Sequence, residues 1–289
     1  MSKFTGTGVA LITPFKKDKS IDYKSFENLI TYNISGGVDF FVILGTTSES
    51  PCLSFSEKQE IIDFTIKKTN SKVPIMVGIT GNNTTSVVNE ILDLDLSNIQ
   101  GILSATPYYN KPSQEGLYLH YAELSKISPL PIVLYNVPSR TGINMLASTC
   151  LRLATDFNNI IAVKEASGDM QQIQDILDNK PSSFNVFSGD DPLTVEMILS
   201  GASGVISVIA QAYPNEFSSM VNFSLKHDED NAWLIHNSLK KLYSPLYDEG
   251  NPSGIKALLY NLNLCSNILR LPLTPISSNL MKSLKLLLK

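Results

Sequence analysis

Short apolar runs recur along the chain, each followed by a polar or amphipathic stretch of helix length. The runs cover 8–15, 38–45, 73–79, 101–107, 131–137, 160–166, 184–190 and 204–209, with starts about 20 to 35 residues apart. Near-continuous apolar runs mark strands buried on both faces, and their alternation with helices marks βαβ units and a parallel sheet. Eight such units within about 225 residues predict a (β/α)8 barrel. Helix starts are expected at Ser56 with Glu57, at Thr84/Thr85, at Ser113 with Gln114 and Glu115, and at Asp191-Pro192. Gly36-Gly37, Gly101, Gly201 and Gly204 fall where helices hand over to strands. An open doubly wound sheet is the rival, but no GxGxxG follows the first run.

Beyond Ile209 the β-type runs stop. Helical patterns cover 217–225, 231–243, 252–264 and 277–288, with breaks expected at Pro245, Pro252 and Pro272/Pro275. The chain therefore divides into a barrel over 1–225 and a C-terminal helical extension over 226–289. The 284–288 leucine stretch is short and flanked by Lys282, Lys285 and Lys289, as a buried helix end would be.

Composition narrows the function classes. The 289 residues are 43% hydrophobic and 17% charged, with a net charge of −4, which suits a globular enzyme with a large core. Basic residues are scattered, so no nucleic-acid surface is expected. No apolar stretch approaches the roughly 18 residues of a membrane helix, and the N-terminus lacks a signal-peptide layout. Cys52, Cys150 and Cys265 make no CxxC pair, and His120, His227 and His236 lack metal-ligand spacing. The expectation is a cytoplasmic enzyme without metal or other cofactor.

Chemistry concentrates where barrel enzymes place it, at the C-terminal strand ends. The sixth run reads Ile160-Ile161-Ala162-Val163-Lys164-Glu165-Ala166. Alternation puts Ala162, Lys164 and Ala166 on one face and Ile161, Val163 and Glu165 on the other. A desolvated lysine loses its proton more readily, and the neutral amine attacks carbonyls to form Schiff bases. Taken alone, the stretch better fits a lysine just past the strand, paired in water with Glu165 or Asp169. The neighbouring strand ends tip the balance. Tyr135 has the inward phase of Val133 and Val137, and suits proton transfer. Thr46 shares the phase of Val42 and Leu44, and its hydroxyl can both donate and accept. Arg140 can grip a carboxylate bidentately, and Gly189 permits close backbone approach. Glu49 reads as structural, satisfying backbone donors. Gly201-Ala202-Ser203-Gly204 looks like a phosphate cradle but precedes the last strand, on the opposite, stability face.

Gly45-Thr46-Thr47-x-Glu49-Ser50, Tyr108-Tyr109-Asn110-x-Pro112, Tyr135-Asn136-Val137-Pro138-Ser139-Arg140-Thr141-Gly142, Lys164-Glu165-Ala166-Ser167-Gly168 and Ser188-Gly189-Asp190-Asp191 together resemble the 4-hydroxy-tetrahydrodipicolinate synthase family. The resemblance runs in order from Phe4 to about Ile276. It implies condensation of pyruvate with L-aspartate 4-semialdehyde through a Schiff base at Lys164, in diaminopimelate and lysine biosynthesis. By the same resemblance Tyr135 transfers protons, Thr46 relays them, and Tyr109 completes the triad from a neighbouring subunit. Thr47 binds the pyruvate carboxylate, Arg140 the semialdehyde carboxylate, and Gly189 and Ile206 contribute to substrate binding. A homotetramer, a dimer of dimers, is implied. The wider superfamily of N-acetylneuraminate lyase and 2-keto-3-deoxy sugar acid aldolases shares the lysine and tyrosine, and supplies the alternative activity.

The chain departs from the family pattern at two places. Ser48 stands where glycine is usual, and would be strained if its φ were positive. Lys58 and Ser86 replace the histidine and glutamate of lysine-inhibited relatives, although Ser50, Asn82 and Tyr108 match the effector site. A cation gained and a carboxylate lost disfavour a bound cationic amino acid, so weak or absent lysine inhibition is expected.

Overall fold

The computed structural model describes residues 4–288; Met1–Lys3 and Lys289, the ends of the two expected domains, lie outside them. Strands β1 (Gly6–Ala10), β2 (Phe40–Ile43), β3 (Ile75–Gly78), β4 (Gly101–Ala105), β5 (Ile132–Asn136), β6 (Ile160–Glu165), β7 (Asn185–Ser188) and β8 (Gly204–Ser207) form a closed barrel in chain order. Each strand is parallel to its neighbours, and β8 pairs back onto β1. The (β/α)8 expectation holds.

Helices α1 (Tyr23–Ser35), α2 (Phe55–Thr69), α3 (Thr84–Asp93) and α4 (Gln114–Ile127) cover the first half of the barrel. They are followed by α5 (Pro138–Thr141), α6 (Ala147–Asp156), α7 (Met170–Asn179), α8 (Thr194–Leu199) and α9 (Pro214–Leu225). Then come α10 (Glu229–Tyr247), α11 (Ser253–Asn261) and α12 (Ser278–Leu287). Among the described residues no helix is long and apolar enough to cross a membrane.

Both strand faces are buried, as the continuous apolar runs require. Outward residues such as Val9, Ile43, Val77, Leu134 and Val163 join the helices in one core, while inward residues such as Phe40, Met76, Val133, Ala162, Phe187 and Ile206 fill the barrel. Phe40 packs edge-on against Phe4 and Phe187, at centroid distances of 5.2 and 5.7 Å. Gly204 belongs to this packing rather than to a ligand. Its φ is +148°, and a Cβ there would lie 2.1 Å from the Gly6 carbonyl oxygen.

Local details differ from the sequence expectation for identifiable reasons. Ile161 does not share the outward face of Val163. The β5–β6 register jumps from Ile132↔Ile160 to Val133↔Ala162, so Ile161 is the extra residue of a bulge and packs toward the barrel interior. The α2 cap is Ser54, not Ser56, because only Ser54 is three residues before Glu57 and closes a reciprocal capping box. Asn83 caps α3 ahead of Thr84/Thr85. Pro245 does not break the chain but lies inside α10, where buried Leu242, Tyr243 and Leu246 hold the helix across it. Ser48 has no positive φ. Its hydroxyl donates to Leu11 O at 2.6 Å, and the left-handed residues of the loop are Leu44 and Glu49.

Candidate active site

A cavity of about 500 Å³ opens at the C-terminal end of the barrel. Thr46, Thr47, Tyr135, Arg140, Lys164 and Gly189 line it. A second cavity of about 610 Å³ shares Thr46, Tyr135 and Arg140 and extends to Lys58, Ser50 and Tyr108.

Lys164 is only 5% exposed and stands in register between Tyr135 on β5 and Phe187 on β7. None of the ion pairs among the described residues includes it. Its Nζ lies 4.4 Å from the Tyr135 ring centroid. Burial lowers the amine pKa to about 8, with the Asp191 charge opposing the shift and Arg140 reinforcing it. A pairing with Glu165 is excluded, because alternation sends that carboxylate outward. There it accepts from Asn136 Nδ2 at 3.1 Å, Ser167 N at 2.8 Å and Gln172 Nε2 at 3.1 Å. Gly189 makes the room. A Cβ there would approach Ala166 Cβ to 2.6 Å and Lys164 Cε to 3.0 Å. The close approach it permits is thus to the lysine itself.

Burial raises the Tyr135 phenol pKa, while Arg140 and a hydrogen bond with the Thr46 side chain pull it down. Thr46 does not reach this phenol by strand alternation. β2 ends at Ile43, Leu44 turns away at φ 56° into the outer core, and Thr46 opens a single 3-10 turn, Thr46–Ser48. Thr47 is buried, and its Oγ1 accepts from Asn251 Nδ2 at 3.0 Å. Arg140, on the one-turn α5, is exposed at the mouth, where its Nη2 donates to Asn251 O at 3.4 Å. Ile206 belongs to the barrel-interior cluster with Tyr135 and Ala162 and is not part of the cavity wall. Tyr109 is not brought to the cavity by its own chain; it is 82% exposed, with φ 71°.

A desolvated amine that loses its proton more readily than usual, a phenol hydrogen-bonded to a threonine hydroxyl and a guanidinium at the mouth suit carbonyl chemistry on an acid substrate. The match with known proteins is equally specific. The model of the dihydrodipicolinate synthetase family matches residues 3–289. The chain belongs to this family. It is 47% identical over 289 residues to the 4-hydroxy-tetrahydrodipicolinate synthase of Flavobacterium psychrophilum, covering 100% of this chain and 99% of the relative. It is 51% identical over 270 residues to that of Parabacteroides distasonis, covering 93% and 91% of the two chains. The crystal structure of dihydrodipicolinate synthase from Aquifex aeolicus superposes with a TM-score of 0.95 at 38% identity, over 99% of this chain and 97% of that one.

Within this dihydrodipicolinate synthetase family member, the sequence reading missed the roof of the site. Lys240, Tyr243, Ser244 and Tyr247 of α10, with Asn251 beyond it, complete the cavity wall. Asp191 anchors that roof. It is fully buried, accepts from Ile209 N at 2.9 Å and Val208 N at 3.2 Å, and receives the Tyr247 hydroxyl at 3.3 Å. Glu49, read as a backbone acceptor, does accept from Arg270 N at 2.9 Å, but it is also ion-paired with Lys256 at 2.5 Å. The one available signal was Lys256 itself, a lone lysine inside the apolar Ile255–Leu259 stretch.

Proposed function

We propose that this chain condenses pyruvate with L-aspartate 4-semialdehyde to give 4-hydroxy-tetrahydrodipicolinate, the step named for its relatives. The observation that carries the reading is Lys164, buried, unpaired and lowered to about pKa 8 at the floor of a cavity shared with Tyr135.

The neutral Lys164 Nζ attacks the pyruvate C2 carbonyl, and loss of water leaves an iminium. Tyr135 moves the protons this requires, with Thr46 as its relay. Removal of a methyl proton turns the iminium into an enamine, whose carbon attacks the semialdehyde carbonyl; the semialdehyde's amino group then closes the ring onto C2, and Lys164 leaves as the free amine. The Thr47 turn holds the pyruvate carboxylate, and Arg140 at the mouth takes the carboxylate of the second substrate. Gly189 keeps space around the amine, and Ile206 packs behind the site. Tyr109, exposed in its own chain, completes the Tyr135–Thr46 relay of a neighbouring copy within a homotetramer. The reaction uses no cofactor and belongs in the cytoplasm.

Borohydride reduction in the presence of pyruvate should leave a stable adduct on Lys164, located by peptide mass spectrometry. Folded, pyruvate-binding protein without the adduct would overturn the mechanism. Arg140→Ala should retain the adduct yet lose about 10- to 150-fold in semialdehyde-dependent kcat/KM, the worth of charge-assisted hydrogen bonds of about 1.5–3 kcal/mol. A sugar-acid lyase would tolerate that substitution.

A further inference from the structure

The hydroxyls of Thr46 and Thr47 sit in a turn entered through Leu44 at φ 56° and left through Glu49 at φ 57°. Left-handed backbone is uncommon for such residues and persists where surroundings over-determine it. Ser48 is tied to Leu11 O at 2.6 Å and to the Thr13 hydroxyl at 2.8 Å, and the contacts to Thr47 and Glu49 come from one distant stretch, 251–271. Asn251 Nδ2 donates to Thr47 Oγ1 at 3.0 Å. Lys256 Nζ donates to Glu49 Oε1 at 2.5 Å and to Ile268 O at 2.9 Å. Arg270 N donates to the other Glu49 oxygen at 2.9 Å, and Arg270 Nη1 to Cys52 O at 2.9 Å. The Arg270 guanidinium also forks onto Glu57 at 2.6 and 2.8 Å.

The centre of this network is unusual in being dry. The Lys256 and Glu49 side chains are both 0% exposed. The Lys256 amine and the Arg270 guanidinium both lie over the Phe15 ring, 4.2 and 4.5 Å from its centroid. Two buried charges are a poor way to gain stability, since an apolar pair of similar volume often does as well or better. What they provide is direction: Glu49 is held through both oxygens, and Glu49 terminates the turn that carries the two hydroxyls.

We propose that Lys256, acting through Glu49, is a positioning residue that fixes the Thr46–Thr47 hydroxyls against Tyr135. The proposal rests on the reading of Thr46 as a proton relay. It separates two steps at the same lysine. Trapped to its end point, the adduct reports an intact Lys164 amine even where proton transfer is slow, while the rate of pyruvate methyl hydrogen exchange reads the relay itself.

The test compares wild type with Lys256→Met, Lys256→Arg and the double variant Glu49→Gln/Lys256→Met, which leaves no unpaired charge. Each is followed by circular dichroism, by borohydride-trapped pyruvate on Lys164, by methyl hydrogen exchange of pyruvate in heavy water, and by kcat and KM. Lys256→Met and the double variant should keep the adduct while exchange and kcat fall roughly 10- to 100-fold, as misplacement of a catalytic group by about 1 Å would cause. Lys256→Arg, which keeps the charge, should recover most of the loss. Should Lys256→Met fail to fold, the double variant carries the same readouts. Exchange and kcat at the wild-type level per folded molecule, with only a lower melting temperature, would overturn the proposal. Absence of the adduct in wild type would strike instead at the Schiff-base reading beneath it.

Discussion

The amine of Lys164 has lost most of its water without gaining a carboxylate partner, and its chemistry follows from that imbalance. With a pKa of about 8, roughly a tenth of it is neutral at pH 7, against less than a thousandth for an ordinary lysine. The initial rate of adduct trapping should therefore rise about tenfold per pH unit below pH 8 and level off above it. A profile still climbing at pH 10 would mean that the lysine is solvated. Gly189→Ala should impair the same step, because the new Cβ meets Ala166 Cβ at 2.6 Å and Lys164 Cε at 3.0 Å. The expected result is an adduct rate lowered at least tenfold in protein that still folds, measured by trapping and circular dichroism. Lys58 gives a third outcome at this scale. Its amine is on the wall of the second cavity, but Glu90 at 2.5 Å offsets its charge, so the missing carboxylate at Ser86 is what disfavours a bound cationic amino acid. A titration with lysine should leave the initial rate unchanged through low-millimolar concentrations.

Among the elements, α10 matters most beyond the barrel itself. It covers the mouth with Lys240, Tyr243, Ser244 and Tyr247, and Asp191 holds it there by accepting from Tyr247 as well as from Val208 N and Ile209 N. One carboxylate thus ties the end of β7, the end of β8 and the roof helix together. Asp191→Ala leaves these donors unsatisfied, at about 1–3 kcal/mol for each buried one. A markedly lower denaturation midpoint should result, with a larger loss of kcat/KM for pyruvate than a stability change alone would give. An unchanged midpoint in urea would contradict the anchoring role. The strands were the most legible elements, because burial on both faces leaves an unmistakable apolar run. The bulge at Ile161 was not legible, since it is set by pairing with β5 and not by the composition of β6. Pro245 misled for a similar reason: helix packing on the α9 side outweighed a local breaker.

Over the whole molecule, the site is completed from far apart in the chain. Asn251 reaches Thr47 across 204 positions, and Lys256 reaches Glu49 across 207. Tyr109 extends the argument beyond one chain. A phenol that is 82% exposed at φ 71° is badly placed for its own cavity. If neighbouring copies exchange this residue, mixing inactive Tyr109→Phe with inactive Lys164→Ala protein under conditions that reshuffle subunits should restore activity. The limit is about a quarter of wild type, since half the pairs are mixed and each mixed pair has one intact site. Mixtures as inactive as their components, with subunits shown to reshuffle, would mean that Tyr109 does not serve the site of another copy.

The sequence alone determined the barrel, the order of its strand-end motifs and the inward phase of Lys164 and Tyr135. These depend on local rules: a period of two along strands, apolar runs where both faces are covered, and residue types that sit next to one another in the chain. It also carried the family, because the motifs are contiguous. Only the tertiary structure decided that Lys164 is dry, that Gly189 spares it a clash and that Thr46 arrives by a 3-10 turn entered through left-handed Leu44. The roof of α10 and the Lys256–Glu49 clamp likewise appear only in the folded chain. Desolvation, close approach and ion pairing are sums over atoms brought together from distant positions, and no local pattern records them.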